Sequence, residues 1–167
     1  MKLSELMANH TPNPAYTGFV TQDDMVLALD CSADGKGADA KEFAVVQLGI
    51  AGVDSAMNPK SADSTYIRTG TSTTKTGTQR TFKVTGDRYI GDDFQDFALG
   101  AKIKYGTGAD VVRSYVYFNV RTGVGEKGTV SILVNNDASG SAGDNASIDI
   151  ELKSAGAAPV EYIWTAA

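Results

Sequence analysis

Between Asp54 and Gly77 the chain carries few large apolar residues beyond Tyr66 and Ile67, and from Lys60 onward it is a tract of Ser, Thr, Lys and Gly. No core can be built from such a stretch, so the residues that bury each other must come from the segments on either side of it. Yet Ser64-Thr-Tyr-Ile-Arg68 and Thr78-Gln-Arg-Thr-Phe-Lys-Val-Thr85 have strand-type residues. The stretch is therefore expected to be a long exposed hairpin that orders by packing on another chain.

The flanking segments read mostly as strands. Tyr16 to Leu29 and Glu42 to Val53 look like two long ones, separated by a Gly- and Asp-rich turn over Ser32 to Ala40. Ser114 to Val120, Gly128 to Val134 and Ala146 to Leu152 complete the set. In the last, Ile148, Ile150 and Leu152 alternate with Ser147, Asp149 and Glu151, the mark of a sheet with one wet face. One helix is predicted over about residues 92–101: Asp92-Asp93 caps it, and Phe94, Phe97, Ala98 and Ala101 follow at helical spacing. Gly100, Gly106 and Gly108 limit it, and Lys102 to Tyr105 could already be a strand.

The fold class that follows is mainly β: an antiparallel β-sandwich or small open barrel with one short flanking helix and a long exposed hairpin. The 167 residues form one domain, 1–167, with an N-terminal arm at 1–15, the hairpin or loop at 54–77 and a C-terminal segment at 155–167. The arm is polar, ends in Thr11-Pro12-Asn13-Pro14, and needs a partner to become ordered.

Charge and motif content exclude several functions. A net charge of −5 disfavours phosphate-backbone binding, which needs a Lys/Arg surface. No run approaches the roughly 20 apolar residues of a membrane helix, and Met1 to Pro14 lacks the apolar centre of a secretory signal, so folding in the cytoplasm is expected. Gly123-Val-Gly125-Glu-Lys-Gly128 matches a dinucleotide fingerprint but opens a strand, where no helix N-terminus exists to hold a pyrophosphate. Asp30, Ser32, Asp34 and Gly35 begin like a calcium loop, but Lys41 stands where the bidentate acid belongs.

His10, the only histidine, lies in the arm without rigid support. Cys31, the only cysteine, ends an apolar run and suits a half-buried structural thiol. No nucleophile–base pair or metal cluster can be assembled, so no catalytic residue, cofactor or metal is expected. Tyr115 and Tyr117 share a strand face and suit core packing or a subunit interface better than a platform for sugar or single-stranded nucleic acid.

The order of features resembles the tail tube (major tail) proteins of long-tailed phages and related tail-like particles. The likeness rests on three stretches. The first is the Lys/Thr/Ser-rich loop leading through Thr78 to Gly86 into Asp87-Arg-Tyr-Ile-Gly-Asp-Asp-Phe-Gln-Asp-Phe97. The second is Gly128 to Asn135, a Gly/Ser/Asp loop and Ser147 to Leu152, and the third is the exit Ser154 to Pro159.

The resemblance implies a non-enzymatic virion protein of the tail, made in the host cytoplasm. Copies of it would form rings, usually hexameric, that stack into a tube through which DNA passes without specific binding. Tape measure and tail terminator proteins would be further partners, and no membrane is involved. Only Thr165-Ala-Ala167 follows Trp164, so the optional outer immunoglobulin-like domain is expected to be absent. Tyr66, Ile67, Arg68, Lys75, Tyr162 and Trp164 are the candidate subunit-interface residues. Two alternatives stay open: the inner tube of a contractile tail or injection device, and a β-sandwich module binding carbohydrate or a cell surface.

Overall fold

The structure, a computed structural model, describes residues 1–37 and 39–165. Ala38 of the expected turn and the last two residues of the expected C-terminal segment lie outside the described residues. In chain order the elements are α1 (Leu3–Met7), β1 (Met25–Leu29), β2 (Ala44–Val45), β3 (Ile50–Ala56), β4 (Pro59–Tyr66), β5 (Gly70–Thr78), β6 (Thr81–Asp87), α2 (Asp93–Ala98), α3 (Ala101–Lys104), β7 (Val112–Asn119), β8 (Val124–Ser139), β9 (Ser147–Ser154) and β10 (Val160–Ile163). Among the described residues no helix is long and apolar enough to cross a membrane.

Eight strands form one antiparallel sheet in the order β2-β1-β7-β8-β9-β6-β3, with β10 added alongside β8. Its two outermost strands, β2 and β3, are joined by residues 46–49 alone. Four residues bridge at most about 17 Å, so the sheet must curl until its edges nearly meet. A gap of about 260 Å³ remains between them, lined by Met25, Val26, Ile50 and Val53 among others. The mainly β, open-barrel expectation holds.

Side-chain alternation divides the apolar residues between two cores. Leu27, Leu29, Tyr115, Tyr117, Phe82, Val84, Ile148, Ile150 and Leu152 point into the curl, where Phe94 and Ala98 of α2 and Ile103 of α3 close it. The other faces of β1 and β7 carry Val26, Ala28, Val116 and Phe118. Leu3 and Met7 of α1 bury against them, with Tyr162 and Trp164 packed alongside.

Four local expectations are corrected. The first part of the N-terminal arm docks on the chain's own body: Leu3 N–H donates to Phe43 O at 2.9 Å, and the Met1 amine pairs with Asp93 at 2.7 Å. The strand expected from Tyr16 begins only at Met25, because Gln22–Asp24 form a 3₁₀ turn in which the Asp24 carboxylate accepts Thr21 N–H at 2.9 Å. The strand expected from Glu42 to Val53 breaks at Gly49, whose φ of +72° turns the chain. Lys102–Lys104 are helical, not strand, because Gly100 in an extended conformation ends α2 and starts α3.

Candidate assembly surfaces

Among the described residues β4 and β5 pair only with each other, from Pro59↔Thr78 to Tyr66↔Gly70. They continue the β3–β6 ribbon, whose last pair is Ala56↔Thr81, past a kink at Asn58, a left-handed residue with φ +41°. The Asn58 amide pins the kink by donating to Gln79 O and Thr81 Oγ1 at 3.2 and 2.9 Å. Every residue of β4 is exposed, and of β5 only Gly77 is half-buried. A strand of eight residues extends about 26 Å, so the arm projects well beyond the body.

At its tip Ile67 is 91% and Tyr66 59% exposed, with Arg68 in the left-handed region at φ +71°. Lys75 lies lower on β5, opposite Ser61. Residues 59–78 carry three basic side chains and one acid, although the whole chain is acidic.

Arg80 braces the root of this arm. Its side chain is 8% exposed and lies over the rings of Phe82 and Tyr117, at 4.6 and 5.1 Å from the centroids. Its Nε donates to Glu126 Oε1 at 2.7 Å, and Tyr115 Oη donates to the same oxygen at 2.9 Å. Burial, reinforced by the Glu126 charge, holds the Tyr115 phenol well above the ordinary tyrosine range and keeps it a donor.

Of the six candidate interface residues, Tyr66, Ile67 and Arg68 meet at the tip, and Lys75 is on the same arm. Tyr162 and Trp164 are elsewhere, half-buried against Phe118, with ring centroids at 5.5 and 6.3 Å. Burial raises the Tyr162 phenol, with a further rise from the Asp39 charge. β10, which carries Tyr162, has an outer edge unpaired among the described residues and presents Val160 and Ile163 to solvent.

A second exposed apolar feature, missed in the sequence as a contact surface, is the turn over residues 87–91. There Tyr89 and Ile90 are 52% and 81% exposed. Arg88 fixes the turn by donating to Tyr89 O at 2.7 Å and to Asp96 Oδ1 at 2.5 Å. The fully buried Gln95 accepts Tyr89 N–H at 2.9 Å, and Asp96 Oδ2 accepts Gly91 N–H at 2.9 Å. The Arg88 guanidinium holds the Asp96 carboxyl below its ordinary range.

The remaining motifs resolve into local structure. Gly123, at φ +73°, turns β7 into β8, so the glycine-rich motif is a hairpin. Asp30 accepts the backbone N–H groups of Ser32 and Gly37, both at 2.9 Å, and closes its own loop. Burial pushes the Cys31 thiol up to about 12, so it is protonated and inert at neutral pH. Tyr115 and Tyr117 face the core, which removes them as a sugar platform.

No family model matches the chain, and no curated protein does. Solved structures do. A chain in the tail of an empty gene transfer agent particle, computed with helical refinement in C6 symmetry, is 18% identical at a TM-score of 0.56, over 88% of this chain and all of that one. A chain from the virion of a native gene transfer agent particle is 17% identical at 0.54 with the same coverage. The cap that terminates the tube of an anti-feeding prophage is 8% identical at 0.53, over 95% of this chain and all of that one. The chain shares its fold with these particle components.

Proposed function

We propose that this protein is a structural subunit of a tail tube, a virion component that assembles with copies of itself into rings stacked as a hollow cylinder. The observation that carries the reading is the match of the fold, over 88% of this chain, to a chain of a C6-symmetric tail. The curled body, unpaired β10 edge and projecting arm suit it. Rings of six close through lateral contacts at β10, with Tyr162 and Trp164 behind that edge, and the arm residues Tyr66, Ile67, Arg68 and Lys75 bridge ring to ring. A two-stranded arm without a core is ordered by the partner it packs on.

The work of such a protein is assembly, not catalysis. Its acidic surplus leaves DNA free to slide through the lumen, since carboxylates repel phosphates. Tape measure and terminator proteins complete the tail. The same subunit could serve as the inner tube of a contractile device; co-purification with a sheath protein distinguishes that case.

Negative-stain microscopy of the purified chain tests the proposal: hollow filaments support it, and a monodisperse monomer at all concentrations refutes it. Deleting Ser61 to Thr76 is expected to leave a folded subunit that makes no tubes. Normal tubes after that deletion would remove the arm from the mechanism.

A further inference from the structure

The arm and the Asp87–Gly91 turn lie at opposite ends of one ribbon. β6 leaves the arm root at Thr81, opposite Ala56, and reaches the turn at Asp87. A hydrophobic tip at one end and a hydrophobic platform at the other are what a head-to-tail contact requires. Such a contact is heterologous and repeats from copy to copy, always leaving one free tip and one free platform at the ends of the stack.

The two ends are also matched in charge. Arg68 stands at the tip, and lower on the arm Lys60 and Lys75 outnumber Asp63. Beside the platform stand Asp87 and, on the adjoining loop, Asp144, where Asn145 donates to Asp87 Oδ2 at 3.0 Å and Arg88 N–H to Ala146 O at 2.7 Å. Arg88, the one base in the turn, is spent inward on Asp96 and Tyr89 O. Side chains held outward by a turn so fully hydrogen-bonded lose little freedom on binding, which makes Tyr89 and Ile90 a preorganised anchor.

We propose that the Asp87–Gly91 turn is the receptor for the arm of a second copy, with Ile67 seated against Ile90 and Arg68 facing the acidic rim. This rests on the tube reading and assigns its axial contact. β6 spans about 23 Å and the arm about 26 Å, so a straight continuation limits the axial repeat to about 50 Å.

The test is a cysteine pair, Ile67→Cys with Ile90→Cys, in a Cys31→Ser background. Oxidation of assembled material should give a ladder of covalent oligomers on a non-reducing gel, while each single variant gives no ladder. Tubes of the pair that stay monomeric on the gel would overturn the assignment, because a seated tip brings the two Cα atoms within disulfide range. Should the pair not assemble, Ile67→Ser and Ile90→Ser are compared by their critical concentration for assembly. Each should raise it about tenfold or more, and the double no further than either single. Multiplying effects would place the two residues in different contacts and overturn the assignment. Failure of the wild-type chain to form tubes would instead refute the tube reading itself.

Discussion

Replacing Arg80 by Ala removes three interactions at the root of the arm, and the structure allows their cost to be worked out. The guanidinium lies over two rings, Phe82 and Tyr117, each worth about 0.5–2 kcal/mol depending on how dry the site is. Its ion pair with Glu126 joins side chains 8% and 24% exposed. Breaking a fully buried pair costs about 3–5 kcal/mol, mostly because the surviving charge is stranded. Here Glu126 is partly exposed and keeps the Tyr115 hydroxyl, so the pair falls below that range at about 2 kcal/mol, and with about 0.5 for each ring Arg80→Ala should cost about 3 kcal/mol in total.

In urea that is a midpoint lower by about 1–2 M, for a slope of roughly 2 kcal/mol/M. Glu126→Gln alone should cost about 1 kcal/mol, since its amide oxygen still accepts from both partners. The double variant should then fall about 1.5–2 kcal/mol short of the sum, because no charge is left stranded. Additivity within about 0.5 kcal/mol would show that Arg80 acts through packing alone and would refute the ion-pair reasoning.

Two glycines of strands consecutive in sequence should behave oppositely. A Cβ on Gly86 would strike the Gly49 carbonyl and come within 2.7 Å of Ile50 Cα, so Gly86→Ala should cost several kcal/mol or abolish soluble expression; Gly77 has open space, and Gly77→Ala should change the urea midpoint little. Acid should destabilise the fold. Asp24 is held below its ordinary range by the Thr21 N–H and by Arg121, and Asp96 by Arg88. A depressed carboxylate contributes stability that is complete above its unfolded value, near 3.9, and lost as pH falls through the folded one. Thermal melts from pH 6 to 2 should therefore decline on the acid side, less steeply for Asp96→Asn.

The extent to which sequence foretold this structure differs by element, for physical reasons. β9 was plain because Ile148, Ile150 and Leu152 alternate with polar residues on a sheet wet on its other face. The arm was plain because a stretch without large apolar residues cannot be core. The strand expected from Tyr16 came out too long because Phe19 and Val20 imitate a continuation of Met25–Leu29, while the polar Thr21–Asp24 segment between them forms a turn. The 87–91 platform was hidden for another reason. Its network joins Arg88 to Gln95 and Asp96 across a turn and a helix, a pairing that no periodicity announces.

The docking of both chain ends had a signal that went unread. Met25–Leu29 and Tyr115–Phe118 are unbroken apolar runs, and in a strand such a run means that both faces are covered. One face belongs to the curl, so something else had to shield Val26, Ala28, Val116 and Phe118. The segments left over were Leu3–Met7, with its helical spacing, and the aromatic C-terminal stretch, and these are what pack there. The same reasoning redistributes the C-terminal candidate interface residues. Tyr162 and Trp164 are partly consumed by Phe118, whereas Val160 and Ile163 of β10 face solvent next to an unpaired edge. A neighbouring subunit that added a strand there would meet Val160 and Ile163 first, and would gain from Tyr162 and Trp164 mainly through the rigidity they lend to the edge.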